Sequence, residues 1–278
     1  MTSKVRIGAV SYLNTRPLVF GLEQGLGGDR VALSYDVPSV LAERLAAGEL
    51  DIALLPVIEL ARIPDLAVVP GLAIGSLGDC RSVLLIARKP LDEIRSIALD
   101  PESRTSNALV RVLCSEAWGI APEFALGPRD LERALMEHDA VVRIGDKALF
   151  EPIPPGTVAH DLGSAWTAYT RMPFVYAVWA ARMEVLDREI YRWLHESRRA
   201  GHAVMAAIAE DYQWNGRRYP ELALAYLKES MRYRFGGPEL AAMKRFLVSA
   251  ARVGVVDAVP ELRVALTATV SCGTKVHP

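Results

Sequence analysis

The chain is short of most features that announce a function. Cysteine occurs three times, at Cys80, Cys114 and Cys272, with no Cys-x-x-Cys pair and no Cys/His grouping at zinc spacing. That pattern excludes a disulfide-stapled scaffold and a zinc ribbon, and it predicts reduced thiols. The histidines, His138, His160, His195, His202 and His277, fall in no metal-ligand motif, and His195 and His202 stand 7 apart where a helical metal pair needs a spacing of four. Formal net charge is −1 and no block of like charges occurs, so neither nucleic acid nor an anionic membrane surface is an expected partner. No apolar run approaches the roughly 18 residues of a membrane span. The run Ile7 to Val10 behind Lys4 and Arg6 is too short for a signal-peptide core. These absences predict a soluble, cytoplasmic protein. Gly-x-Ser-x-Gly, His-Glu-x-x-His and Gly-x-Gly-x-x-Gly are all missing, so metal, flavin and nicotinamide chemistry find no support and no cofactor is expected.

What is present is an ordinary globular composition, 51% apolar and 23% charged over 278 residues, long enough for two lobes or one large α/β domain. Short apolar runs alternate with helix-length segments: Val5–Val10, Val31–Tyr35, Asp51–Leu55, Leu66–Val69, Ser82–Ala87, Ser96–Leu99, Glu123–Leu126, Ala140–Ile144 and Phe174–Ala181. Such alternation predicts parallel sheet built from βα units. Pro38 opens a helix that Gly48 closes, and Thr105 or Ser103 caps another carrying Leu109, Val110 and Leu113 on one face. After about residue 183 long amphipathic helices dominate, over Val185 to Glu210, Tyr219 to Met231 and Pro238 to Val253. Ser82–Arg88 and Phe174–Arg182 read as strands that cross between two lobes, one of which both termini share. Val270 to Pro278 lack periodicity and read as a loose tail.

Two polar clusters break this pattern. Ser11-Tyr12-Leu13-Asn14-Thr15-Arg16-Pro17-Leu18 follows the first strand, where one cap residue would suffice for folding. Unsatisfied amides at a helix start favour a carboxylate or phosphate, and an amide side chain such as Asn14 both donates and accepts. Ser11, Tyr12, Asn14 and Arg16 are therefore ligand candidates, against the plainer reading that Ser11 or Asn14 caps the helix and Tyr12 packs. The second cluster, Asp100 to Asn107, puts Ser103, Arg104, Thr105 and Ser106 at another strand-to-helix junction, an anion-binding combination or a plain N-cap with a solvated arginine. Asp146 ends a strand as a ligand group or, more ordinarily, as an N-cap. Ser82 faces a cleft or belongs to a turn.

Taken with Asp51-Ile52-Ala53-Leu54-Leu55-Pro56-Val57-Ile58-Glu59, Ser103-Arg104-Thr105-Ser106, Ile144-Gly145-Asp146, Asp161-Leu162-Gly163 with Trp166, and Pro173-Phe174-Val175 leading to Trp179, the first cluster resembles the chorismate dehydratase family of the futalosine route to menaquinone. The resemblance implies a type II periplasmic-binding-protein-like fold: two α/β lobes joined by two crossing strands, with a ligand cleft between them. We expect one lobe from residues 1–87 plus 179–278 and the other from 88–178. It also implies a lyase that removes water from chorismate, a small dicarboxylate, to give 3-[(1-carboxyvinyl)oxy]benzoate without metal or organic cofactor. Asn14 is the expected catalytic residue. Ser11, Tyr12, Arg16, Ser82, Ser103, Arg104, Thr105, Ser106 and Asp146 are the expected substrate contacts. The alternatives are the later enzyme of the same pathway that forms 1,4-dihydroxy-6-naphthoate, which would want a histidine base in the cleft, and a non-catalytic small-anion-binding protein, which would need export.

Overall fold

Two mixed β-sheets, each with helices on its faces, divide the chain. The structure, a computed structural model, describes residues 4–265; the expected tail at Val270 to Pro278 lies outside them. The larger sheet contains β1 (Val5–Val10), β2 (Val31–Asp36), β3 (Ile52–Pro56) and β4 (Leu66–Ser76). The smaller sheet is β5 (Val83–Ala87), β6 (Ser96–Leu99), β7 (Glu123–Leu126), β8 (Ala140–Ile144) and β9 (Val158–Asp161). The chain then returns to the larger sheet with β10 (Phe174–Arg182) and finally β11 (Arg263–Val264). Strand order is β11-β4-β10-β3-β1-β2 in the larger sheet and β7-β6-β8-β5-β9 in the smaller.

Three expectations change. The sheets are mixed rather than parallel: β10 runs antiparallel to β3 and β4, and β5 runs antiparallel to β8 and β9. Each of these strands is the first the chain lays down after changing sheets, and each enters its sheet from the opposite end to the βα units around it. Secondly, Val83–Ala87 pairs wholly within the smaller sheet and Phe174–Arg182 wholly within the larger, so neither strand crosses. The crossings are residues 77–82 and 171–173, ahead of the boundaries expected at 87/88 and 178/179. Thirdly, the long C-terminal helix is two, split at Val204, whose backbone leaves the helical region.

The helices are α1 (Arg16–Glu23), α2 (Pro38–Ala46), α3 (Thr105–Val112), α4 (Leu131–Glu137), α5 (Gly145–Phe150), α6 (Leu162–Thr170), α7 (Arg188–Ala203), α8 (Met205–Asp211), α9 (Pro220–Ala225) and α10 (Gly237–Arg252). All five residues of β3 are buried, as a strand covered on both faces requires. Helix α1 lies so close to α7 that a Cβ on Gly201 would sit 2.2 Å from the Pro17 carbonyl oxygen; only glycine permits that approach. The buried Ser197 hydroxyl staples the pair, donating to Leu18 O at 2.8 Å and accepting from Leu22 N at 3.1 Å. This packing fixes α1, and with it the turn that precedes it. Among the described residues no helix is long and apolar enough to cross a membrane.

Two side-chain assemblies tie the smaller sheet to the C-terminal helices. Phe150, at the end of α5, stacks on Tyr212, Trp214 and Tyr219 with ring centroids 6.3, 5.8 and 5.2 Å away. Glu116, in the π-helical turn Leu113–Ala117 after α3, accepts hydrogen bonds from Arg245 (3.1 Å), Ser249 (3.0 Å) and Arg252 (2.9 Å) of α10 and from Tyr169 (3.1 Å) of α6. A buried carboxylate so fully partnered is costly to disrupt. Glu116→Ala is expected to lower the unfolding free energy by about 2–3 kcal/mol in urea denaturation, toward the lower end for breaking a buried ion pair because the arginines stay partly hydrated. A loss under about 0.5 kcal/mol would mean the cluster is only surface charge.

Candidate active site

The carboxyl ends of β1, β3, β6 and β8 converge on the space between the sheets, where α/β proteins place their ligands. After β1 the chain makes one tight turn, Leu13–Thr15, and enters α1 with Pro17 in its first turn. Three contacts hold this turn. The Leu13 side chain is fully buried. Its backbone N–H donates to the Asp146 carboxylate at 3.1 Å. The Tyr12 ring lies on the backbone of Gly145, which has φ +64° and so close an approach that a Cβ would meet the ring at 3.0 Å. The turn leaves Asn14 with its amide nitrogen donating to the Tyr226 hydroxyl at 3.0 Å.

The facing wall is the turn between β6 and α3. Asn107 braces it from within the helix, donating to Asp100 O and Ser103 O, both at 2.8 Å, and accepting from Asp100 N at 3.2 Å. The Ser103 hydroxyl accepts from Ser106 N at 3.2 Å, and the Thr105 hydroxyl accepts from Ile58 N at 3.3 Å. Both hydroxyls keep a proton to offer. Arg104 lies at the helix start with Glu43 at 3.2 Å. The third wall is the crossing segment 77–82. The Asp161 carboxylate, N-cap of α6, accepts from Ser164 N (3.0 Å) and reaches back to Arg81 N (2.7 Å) and Cys80 N (3.0 Å). That brings Ser82 to the cavity, its hydroxyl 2.8 Å from the Tyr226 oxygen.

The cavity holds about 580 Å³ of empty space, its open mouth included. Tyr12, Asn14, Ser82, Ser103, Arg104, Thr105 and Ser106 line it together with Tyr176, and Val10, Leu54, Ile74, Val83 and Ile144 supply apolar surface. Two separate stretches of sequence thus meet across one cleft. The described lining residues include no carboxylate, imidazole, thiol or amine. Burial, reinforced by Glu102 near Tyr12 and by Cys80 near Tyr176, pushes both phenols well above their ordinary range. They stay neutral, so among the described lining residues the one charged side chain is Arg104.

Three expected contacts lie elsewhere. Strand alternation turns Val10 and Tyr12 inward and Ser11 outward, so Ser11 is exposed. Arg16 is directed outward by α1, where it pairs with Glu23 at 2.6 Å over the rings of Tyr35 and Tyr212. Asp146 neither lines the cavity nor caps α5, whose N-cap is Ile144. It is a buried strut, accepting from Leu13 N and the Tyr212 hydroxyl, and burial raises its carboxyl above the usual range while those two bonds draw it back. The described histidines stand away from the cavity. Tyr176 and Tyr226 had no sequence signal: each sits in an apolar periodic segment where an aromatic reads as packing.

Comparison with known proteins gives the family and the fold. The family model described as menaquinone biosynthesis matches residues 5–252. The chain is 31% identical over 258 residues, 86% of its length and 93% of the relative's, to a protein of Thermus thermophilus named chorismate dehydratase. It is 26% identical over 248 residues, 86% of its length and 95% of the relative's, to one of the same name from Campylobacter jejuni. In structure it is similar to the Archaeoglobus fulgidus protein AF1704, with TM-score 0.72, 16% identity and coverage of 91% of this chain and 98% of that one. It is also similar to a Candida albicans protein described as having the generic periplasmic binding protein fold, with TM-score 0.61, 12% identity and coverage of 92% and 91%. The fold is therefore the periplasmic-binding-protein-like one.

Gly145 offers the sharpest test of the cavity's construction. Gly145→Ala combines an unfavourable φ with a clash against Tyr12, and it is expected to lower the unfolding free energy by about 1–3 kcal/mol. The Tyr12 ring should also shift in the variant's crystal structure. Unchanged stability and an unmoved ring would contradict the contact.

Proposed function

We propose that this chain, which belongs to the menaquinone biosynthesis family, eliminates water from chorismate to give 3-[(1-carboxyvinyl)oxy]benzoate. The observation that carries the reading is a cavity with hydrogen-bond donors on facing walls and no titratable base on its described lining. Chorismate brings what such a cavity lacks, two carboxylates of its own. Removing the proton from the ring carbon that bears the enolpyruvyl ether leaves charge conjugated to the ring carboxylate. The α3 start, with Ser103, Thr105, Ser106 and Arg104, would bind that carboxylate and stabilise the charge as it develops. The enolpyruvyl carboxylate, held beside the ring proton, would act as the base, so that positioning supplies a large share of the rate. Asn14 would orient the departing hydroxyl or the ether. Loss of hydroxide from the neighbouring carbon then completes the aromatic ring. The proton and the hydroxide together make one water, and no electrons are gained or lost, so the balance calls for no oxidant, reductant or cofactor.

The naphthoate-forming reaction would want an imidazole in the cleft, and the described histidines lie away from it. The dehydration reading assigns the work to the cytoplasm, with the rest of a biosynthetic family.

Purified protein given chorismate should form an aromatic product without added metal, and Asn14→Ala should lower kcat by about 100-fold, the scale of losing one well-placed transition-state donor. Recovery of unchanged chorismate with the wild-type protein would overturn the reading, and wild-type kcat in the variant would remove Asn14 from it. The kcat profile should also be flat from about pH 6 to about pH 9, because the lining phenols titrate above that window and the substrate carboxylates below it. An acid limb with a midpoint inside that window would place the base on the protein.

A further inference from the structure

We propose that Tyr226 is a positioning residue that sets the direction of the hydrogen bonds by which Asn14 and Ser82 address the substrate, an inference that rests on the dehydration reading. Tyr226 opens the π-helical turn Tyr226–Ser230 in the C-terminal part of the chain, far in sequence from either partner, and it is 1% exposed. Its ring does not line the cavity, whereas Asn14 and Ser82 both do. π-Helical turns are rare and occur often at functional sites. Here the turn brings one phenol oxygen to 3.0 Å from the Asn14 amide nitrogen and 2.8 Å from the Ser82 hydroxyl.

The donor inventory then fixes the polarity. A neutral phenol has one proton to give and two lone pairs to receive. An amide nitrogen can only donate, so the Asn14 bond occupies a lone pair of Tyr226. The phenol proton is left with Ser82 as its partner. Ser82 accepts it, and its own proton is free for the cavity. The order Asn14 to Tyr226 to Ser82 turns two ambivalent side chains into oriented ones: Ser82 offers a donor to a substrate oxygen, and Asn14 is held with its carbonyl and its second N–H available. Among the described residues the side-chain carbonyl of Asn14 receives one bond, a long one from the Thr15 hydroxyl at 3.5 Å. Without the phenol oxygen the Asn14 amide would be free to turn over, and Ser82 would be free to point its proton inward.

Tyr226→Phe keeps the ring and removes only the oxygen, and its thermal unfolding shows whether the fold is intact. The expected result is a kcat for chorismate about 10- to 100-fold lower with KM within about twofold of wild type. Tyr226→Phe should cost at least about threefold less in an Asn14→Ala background than in the wild type, because part of its effect passes through Asn14 and only the part through Ser82 remains. A kcat within about twofold of wild type, or losses that multiply in full in the double variant, would overturn the proposal. A readout that needs no turnover is the side-chain amide of Asn14 in a ¹⁵N-labelled protein. One of its protons should be protected from exchange in the wild type and in Ser82→Ala, and unprotected in Tyr226→Phe. If the wild-type protein leaves chorismate unchanged, the dehydration reading fails on its own, and the amide signal still decides Tyr226: retained protection in Tyr226→Phe overturns its orienting role, and lost protection supports it.

Discussion

A buried hydrogen bond from the first turn of the chain helps to join the two halves of this molecule where the chemistry would occur. The Asp146 carboxylate, at the start of a helix of the smaller sheet, receives the backbone N–H of Leu13 at the end of the first strand of the larger. Burying a carboxylate costs several kcal/mol unless it is well partnered, and the Tyr212 hydroxyl supplies the second partner. The same short segment carries Gly145, on which the Tyr12 ring rests. Turn, ring and carboxylate together set the spacing between the wall that bears Asn14 and the wall that bears Ser103 to Ser106. The Phe150 stack and the Glu116 cluster support that spacing from further out.

Much of this frame was legible in the sequence, and the exceptions have physical causes. Ser96–Leu99, Glu123–Leu126 and Ala140–Ile144 appear with the bounds that their apolar runs suggest. Polar clusters placed after β1 and β6 stood out because folding alone has no use for several hydroxyls, an amide and a guanidinium at a strand end. Strand direction was not legible. Period-two burial is the same in parallel and antiparallel neighbours, so Phe174–Arg182 and Val83–Ala87 gave no sign of running against their sheets. Nor could composition show that Ser11 points away from Tyr12, that Arg16 leaves the cleft along its helix, or that Asp146 works as a strut. Tyr226 was invisible for another reason. A buried tyrosine in an amphipathic helix looks like core, and the two partners that give its oxygen a purpose lie more than a hundred residues away.

The cavity is chemically sparse. Its described lining holds no group that could take a proton near neutral pH; the strongly perturbed phenols are perturbed in the direction that keeps them neutral. A site of that kind acts through geometry, with donors fixed by a braced turn at Asn107, a capped crossing segment at Asp161 and a tyrosine behind the wall. The two-sheet architecture would suit this use, since it sets hydrogen-bonding groups on facing walls of one cavity. What a dehydratase would add is a substrate whose own carboxylate can reach the proton to be removed.

That claim is tested most directly by kcat for chorismate in which the enolpyruvyl carboxylate is converted to a carboxamide. The amide keeps the size and the hydrogen-bonding edge but cannot serve as base. The account predicts that this compound binds and is not dehydrated at a measurable rate. Conversion at a kcat comparable to that of chorismate would contradict it and would show that a group of the protein removes the proton.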